Sequence, residues 1–404
     1  MNKNRLLSVL SLAAFVVMAD NWVVSPILPA ISMDIGVNVS NAALIISAYM
    51  LPFGLFQLIF GYLGDKFGRI RVISGAMVFF TIGTGLCAIA AGLTDLAIYR
   101  ALTGMFAGSI MPVSFALIGD LFPLHERQAA IGTFFGVAFL GQGLSTVIGG
   151  SIAYFINWRG VFTVYAALAV LSTLLLFEIS KNVPAAKNND SKFFAPLMDL
   201  LKNPASRIMY AVVFFEGIFI MGTFSFLGGF IENQYNFNDL LIGLIMSVFG
   251  IMAVMGGRFA GKLSGRIGRK NTIIIGFAGT MLANIIYVIW GDTLPVLFLG
   301  IGISGLGLML AHSSILTIAT EFAAKARGIA MSLVAFCFMC GGSLGTAIGS
   351  RIIETGGFIN LFVTYGIGLL LLLVAILISK KGFVIENVQR QSQREAKSKV
   401  IVRS

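Results

Sequence analysis

The sequence predicts an all-α membrane protein: twelve transmembrane helices arranged as two six-helix repeats. Three observations carry that prediction. The 404 residues are 57% hydrophobic and only 11% charged, with a mean hydropathy of +0.93, a balance foreign to soluble domains. Apolar runs of about 20 residues, the length of helix that crosses ~30 Å of hydrocarbon, recur along nearly the whole chain. A shift of the sequence by 200 residues brings two separate stretches into register, which marks a duplication.

The apolar runs fall at roughly 6–30, 41–62, 72–92, 96–118, 129–154 and 160–180, then at 207–231, 240–260, 272–291, 294–318, 328–352 and 358–379. They are continuous, whereas barrel strands show an alternation of about ten residues, so helices are predicted. The first run follows Lys3 and Arg5 but contains Asp20, Pro26 and Pro29 and has no small-residue cleavage site, so it reads as a retained helix. All but four of the 28 Lys and Arg lie in the tails and even-numbered loops if the N-terminus is cytoplasmic. The four are Arg100 and Arg258 within spans, and Arg159 and Arg351 near outer loops. This positive-inside bias places both termini in the cytoplasm, accounts for the net charge of +11 and argues against nucleic acid as a partner.

Four segments follow: a bundle over 1–180, a cytoplasmic linker over 181–206, a second bundle over 207–379 and a basic tail over 380–404. Within the linker, "SKFFAPLMDLLK" is expected to form a short helix at the membrane surface. The tail carries seven Lys or Arg against two Glu; it either contacts anionic membrane lipid, at about 1 kcal/mol per basic residue, or is simply solvated. The 200-residue shift aligns Gly61, Leu63, Gly68 and Arg69 with Gly261, Leu263, Gly268 and Arg269. Without a gap it also aligns Phe122, Arg127, Ala130, Gly141 and Gly149 with Phe322, Arg327, Ala330, Gly341 and Gly349. Repeats offset by an even number of spans share one orientation, which puts a common site between them near the midplane.

The chain at this point resembles the major facilitator superfamily. The resemblance covers the whole chain and rests on the 6+6 repeat, the long central loop and "GYLGDKFGRIRV" at 61–72, where that family carries G-x-L-x-D-x-x-G-R. "YRALTGMFAG" in span four, with Arg100, Gly104 and Gly108, resembles the R-x-x-x-G-x-x-x-G of the 12-span drug/proton antiporter branch. "GQGLSTVIGG" in span five keeps Gly141, Gly149 and Gly150 of that branch's next motif but has Ser145-Thr146 in place of Gly-Pro. The resemblance implies a monomeric secondary transporter of the cell membrane that works by alternating access, with proton-coupled efflux of small amphipathic or hydrophobic compounds. Export or uptake of a specific metabolite (a sugar, amino acid or lipid-like compound) is the alternative, and a non-transporting scaffold or sensor a remoter one. It also implies that spans one, four, seven and ten line the central cavity.

Ionisable side chains within spans cost about 2.5–3.5 kcal/mol each on insertion scales, so they mark function. Asp20, Arg100, Glu216 and His312 fall one on each of those four spans. Asp20 and Glu216 are candidate proton-coupling carboxylates, since burial tunes a carboxyl towards neutrality, and Arg100 would stabilise ionised Asp20. The plainer alternatives are a permanent Asp20–Arg100 pair, a solvated Glu216 and a structural His312. Phe15, Trp22, Tyr49 and Phe115 suit an apolar substrate pocket. The 61–72 turn is expected to gate the cytoplasmic side. Gly61, Gly64 and Gly68 permit the turn and close helix approach, and Asp65 faces the positive N-terminal end of span eleven. By the resemblance, Arg69 bonds an acid at the end of span four, here Asp120.

No metal site, cofactor or catalytic residue is expected. "GGRFAGKLS" at 256–264 lacks the Ser or Thr of a phosphate loop and follows no strand. Cys337-x-x-Cys340 has no second pair. The serines of "GGSLG" and "GISG" have no histidine within reach.

Overall fold

The computed structural model describes residues 3–181, 183, 194–322 and 327–379. Residues 182 and 184–193 of the linker and the whole 380–404 tail therefore lie outside the described residues; the linker's helix is present as Phe194–Lys202. Among the described residues, eleven helices are long and apolar enough to cross a membrane. The shortfall from twelve arises at the end of the chain, where Arg327–Ile378 runs for 52 residues with one non-helical residue, Gly357, at φ 74° and ψ −178°. At 1.5 Å per residue this stretch is more than twice the ~30 Å of hydrocarbon, so it is two spans that meet at one glycine rather than through a loop.

Prolines interrupt two spans at predictable places. Span one breaks into Lys3–Trp22 and Val24–Ile35 because Pro26 has no N–H for the Trp22 carbonyl. Span four breaks into Leu93–Ala107 and Ile110–Leu121, and Pro112 stands four residues beyond Gly108 in the same relation. Span seven, Pro204–Tyr235, contains a π turn over Gly217–Met221 that begins next to Glu216. Such wide turns are rare and concentrate at functional positions.

Within the first six spans, one packs on five, two on four, and three on four and six; within the last six, ten packs on eight and nine. Lys3 over Phe122, the Arg5–Glu178 pair and the Arg69–Asp120 pair gather one end of the first set. Lys270 donates to the Leu377 and Ser379 carbonyls at the matching end of the second. We call this the terminal face. Towards the opposite face the sets are joined directly: Ser25 donates to the Phe224 carbonyl at 2.6 Å, and Ser350 to that of Ser40 at 2.7 Å. Ser47 and Ser343 each donate to the other's carbonyl, at 2.9 and 3.0 Å. Spans five and eight meet there backbone to backbone. A Cβ on Gly250 would stand 2.5 Å from the Gly143 Cα, and one on Gly150 would strike the Asp239 carbonyl.

Candidate functional site

Between the two sets, in the half of the molecule nearer the terminal face, lies a cavity of about 130 Å³ lined from spans one, two, four, five, ten and eleven. Its wall includes five methionines and five phenylalanines, flexible and apolar surfaces able to repack around ligands of different shape. Its polar groups are few: Gln57, Gln142, His312, Ser332 and the indole of Trp22. Trp22 also packs edge-on against Phe224 from span seven at 4.8 Å.

His312, on span ten, is 13% exposed and lies 4.7 Å from the Phe338 ring. Its Nδ1 sits 3.2 Å from Oε2 of Glu216, a fully buried carboxyl on span seven; either the imidazole N–H or a protonated carboxyl supplies the shared hydrogen. Glu216 Oε1 has no hydrogen-bond partner among the described residues. The imidazole thus separates a buried acid from the cavity. Of the four ionisable residues singled out in the spans, His312 alone forms part of the cavity wall.

Asp20 and Arg100 are together elsewhere. Arg100 Nη1 donates to Asp20 Oδ2 at 2.7 Å and Nη2 to the Asp20 carbonyl at 3.3 Å, with 1% and 0% of the two side chains exposed. The guanidinium lies 4.0 Å from the Tyr49 ring centroid and 5.7 Å from that of Phe162, so the pair is enclosed by the first six spans rather than facing the cavity. Span two comes close enough to supply Tyr49 because Gly104, one turn beyond Arg100, leaves room for the Tyr49 backbone; a Cβ there would strike its carbonyl. Phe115 is in the cavity wall, and Phe15 packs against the core.

At the terminal face Arg69 holds three partners. It bonds Asp65 at 3.0 and 3.3 Å, the Ala116 carbonyl at 2.5 Å, and Asp120. The ends of spans two, three and four are thereby tied together. Gly68 takes φ 96°, a left-handed conformation that favours glycine. Gly64 approaches Val113, whereas a Cβ on Gly61 would meet nothing within 4 Å. The duplicate turn has Gly268 at φ 88° and keeps Arg269, but Gly265 stands in place of Asp65 and Ser264 bonds Thr272 and Ser314, both at 3.2 Å.

Sequence reasoning passed over Gln57 and Gln142, which are 3% and 4% exposed. The available signal was a lone amide in an otherwise apolar run, which costs free energy in hydrocarbon unless it has a polar task.

The sequence profile described as the Major Facilitator Superfamily matches residues 10–259 and again 209–402. The chain belongs to that superfamily. A "Putative metabolite transport protein" of Haemophilus influenzae is 29% identical over 308 residues, covering 71% of this chain and 74% of its own. "Multidrug resistance protein 3" of Bacillus subtilis is 32% identical over 162 residues, 40% of this chain and 31% of its own length. The crystal structure of a mutant of the nucleoside transporter NupG superposes with a TM-score of 0.77 at 14% identity, covering 92% of this chain and 98% of that one; this likeness concerns the fold. The superfamily member is accordingly a multi-pass membrane transporter for small molecules and not an enzyme.

Proposed function

We propose that this superfamily member is a proton-coupled exporter of small amphipathic or hydrophobic compounds in the cell membrane, with both termini cytoplasmic, and that Glu216 with His312 carries the coupled proton. The observation that carries the reading is the buried Glu216 carboxyl, whose bonded partner is a titratable imidazole in the wall of an apolar cavity. Moving one proton on or off this pair changes the charge bordering the cavity, so substrate and proton compete for one environment. The terminal face is then the cytoplasmic one and this conformation inward-facing, since the joined serines and glycines lie beyond the cavity towards the opposite face. Asp20–Arg100 fits the permanent structural pair, because the guanidinium has no neutral form to offer. Asp65, Arg69 and Asp120 form the cytoplasmic gate, which closes when Asp65 engages the N-terminal end of span eleven.

Flux in everted vesicles, across cationic, neutral and lipid-like compounds, tests the reading. Glu216→Gln is expected to abolish flux driven by a pH gradient while substrate exchange without a gradient continues; undiminished pH-driven flux in that variant overturns it. Transport of one metabolite, favoured by the name of the Haemophilus influenzae relative, would show as a single active compound in the panel.

A further inference from the structure

A second opening adjoins the cavity. Between spans five, eight and ten lies a crevice of about 630 Å³, lined by Gly132, Thr133, Gly136, Gly257, Arg258 and Ser313 among others. Its origin is the packing of spans five and eight. They touch through glycine at 143–250 and 150–243, but towards the terminal face they separate, and a Cβ on Gly132, Gly136 or Gly257 would meet nothing within 4 Å. Leu140, Ile251, Met255 and Phe259 are exposed on the same two helices, which is the surface that meets lipid in a membrane chain. The crevice therefore opens sideways into hydrocarbon. Phe139, Gln142, Met309 and Leu316 belong both to its wall and to that of the central cavity, so the two spaces share one partition.

Two polar groups in this crevice lack partners. Arg258 is exposed and makes no hydrogen bond or ion pair among the described residues. It stands two residues inside the terminal-face end of the 240–260 apolar run, on a helix that continues to Ile267, which is the level of lipid headgroups, and no Asp or Glu among the described residues lines the crevice. A cation there has no counter-charge from the described residues and is placed to meet a headgroup anion. Gln142 is 4% exposed, and its Nε2 has no hydrogen-bond partner among the described residues. Its amide stands at the shared partition.

We propose that the crevice is a lipid site: an anionic membrane phospholipid from the leaflet at the terminal face lays its phosphate on Arg258 and one acyl chain between spans five and eight, with the chain's inner end against the Gln142 partition. The charge supplies the choice of lipid, because a guanidinium pairs with phosphate in bidentate fashion and a net-anionic headgroup leaves that attraction uncancelled. The lateral opening supplies the source, since a chain already in the bilayer enters without crossing water. The central cavity alone is smaller than the ~300–1,000 Å³ of small-molecule pockets, whereas the crevice falls within that range. The site stands whether or not Glu216 carries protons.

Trp22 reports from the other side of the partition. The full chain is reconstituted in nanodiscs of acyl-brominated phosphatidylglycerol or phosphatidylcholine, and the Trp22 contribution is taken as the quenching that disappears in Trp22→Phe. Quenching is expected in the native chain, stronger with phosphatidylglycerol, and lost in both Gly136→Phe and Gly257→Leu, which fill the crevice from opposite walls. Arg258→Gln is expected to remove the preference for phosphatidylglycerol while leaving quenching by phosphatidylcholine in place. Absence of Trp22 quenching in the native chain, or its persistence in both filled variants, overturns the site. A preference that survives Arg258→Gln overturns the role of Arg258.

Discussion

The two buried carboxyl pairs lie on corresponding spans of the two repeats, one and four in the first and seven and ten in the second, yet they are built oppositely. Asp20 meets a permanent cation through two hydrogen bonds, roofed by Tyr49, with at most 1% of either side chain exposed. Glu216 meets an imidazole through one contact, and that imidazole is 13% exposed in the cavity wall. A sealed pair with a fixed charge holds helices in place; a pair with a titratable member beside a cavity can change state. Under the 200-residue shift neither member coincides with its counterpart, Asp20 falling on Ile220 and Arg100 on Gly300, so each repeat has placed its own pair on the corresponding spans.

The largest effect should come from breaking the sealed pair. Arg100→Ala leaves the Asp20 carboxylate unpaired in the interior, at a cost of ~3–5 kcal/mol, and is expected to collapse the thermal transition of the purified protein in detergent. Adding Asp20→Asn should recover much of the loss. Glu216→Gln should instead shift that transition little and abolish pH-driven flux; a collapse like that of Arg100→Ala would erase the distinction between the pairs. Replacing His312 by Arg turns the working pair into a copy of the fixed one, and the expected result is flux that no longer responds to a pH gradient. Asp65→Asn should favour the inward-facing state and raise labelling of a cysteine placed at Ser332, whereas unchanged labelling removes the gate role.

The smallest effect belongs to Asp34, at the opposite face. The hydrogen bond from Arg159, then that from Trp158, holds its carboxyl below the usual carboxylate range. The stabilisation is present above the unfolded-state pKa of about 3.9 and is lost as pH falls through the folded-state value. With 47% of the Asp34 side chain exposed, Arg159→Ala should cost no more than ~1 kcal/mol, and the difference from the parent should begin to shrink only as pH falls below ~4.

The fold was legible because its signals are compositional and periodic: apolar length, charge placement and the 200-residue repeat need no knowledge of packing. The repeat is visible in detail, with Gly68 and Gly268 both at positive φ. Even the join at Gly357, where helix follows helix without a loop, falls between the apolar runs 328–352 and 358–379. The orientation of the site residues was not legible. In a uniformly apolar helix no periodicity says which face is inward, so nothing distinguished Asp20, enclosed by its own bundle, from Trp22, about 200° further round the helix at 100° per residue and in the cavity wall. The Glu216–His312 contact joins residues 96 apart and could be seen only once spans seven and ten were placed.

The crossing of spans five and eight has a mechanical meaning. Where Gly143 meets Gly250 and Gly150 meets Gly243, backbone rests on backbone with no side chains to unlock. A small roll of one helix over the other there requires no rotamer change, whereas interlocked side chains resist any step away from their seats. The crossing has the geometry that a bearing between the two repeats would need. The serine–carbonyl bonds at Ser25, Ser47 and Ser343 add the only kind of tie such a crossing leaves to break, hydrogen bonds rather than interlocked side chains.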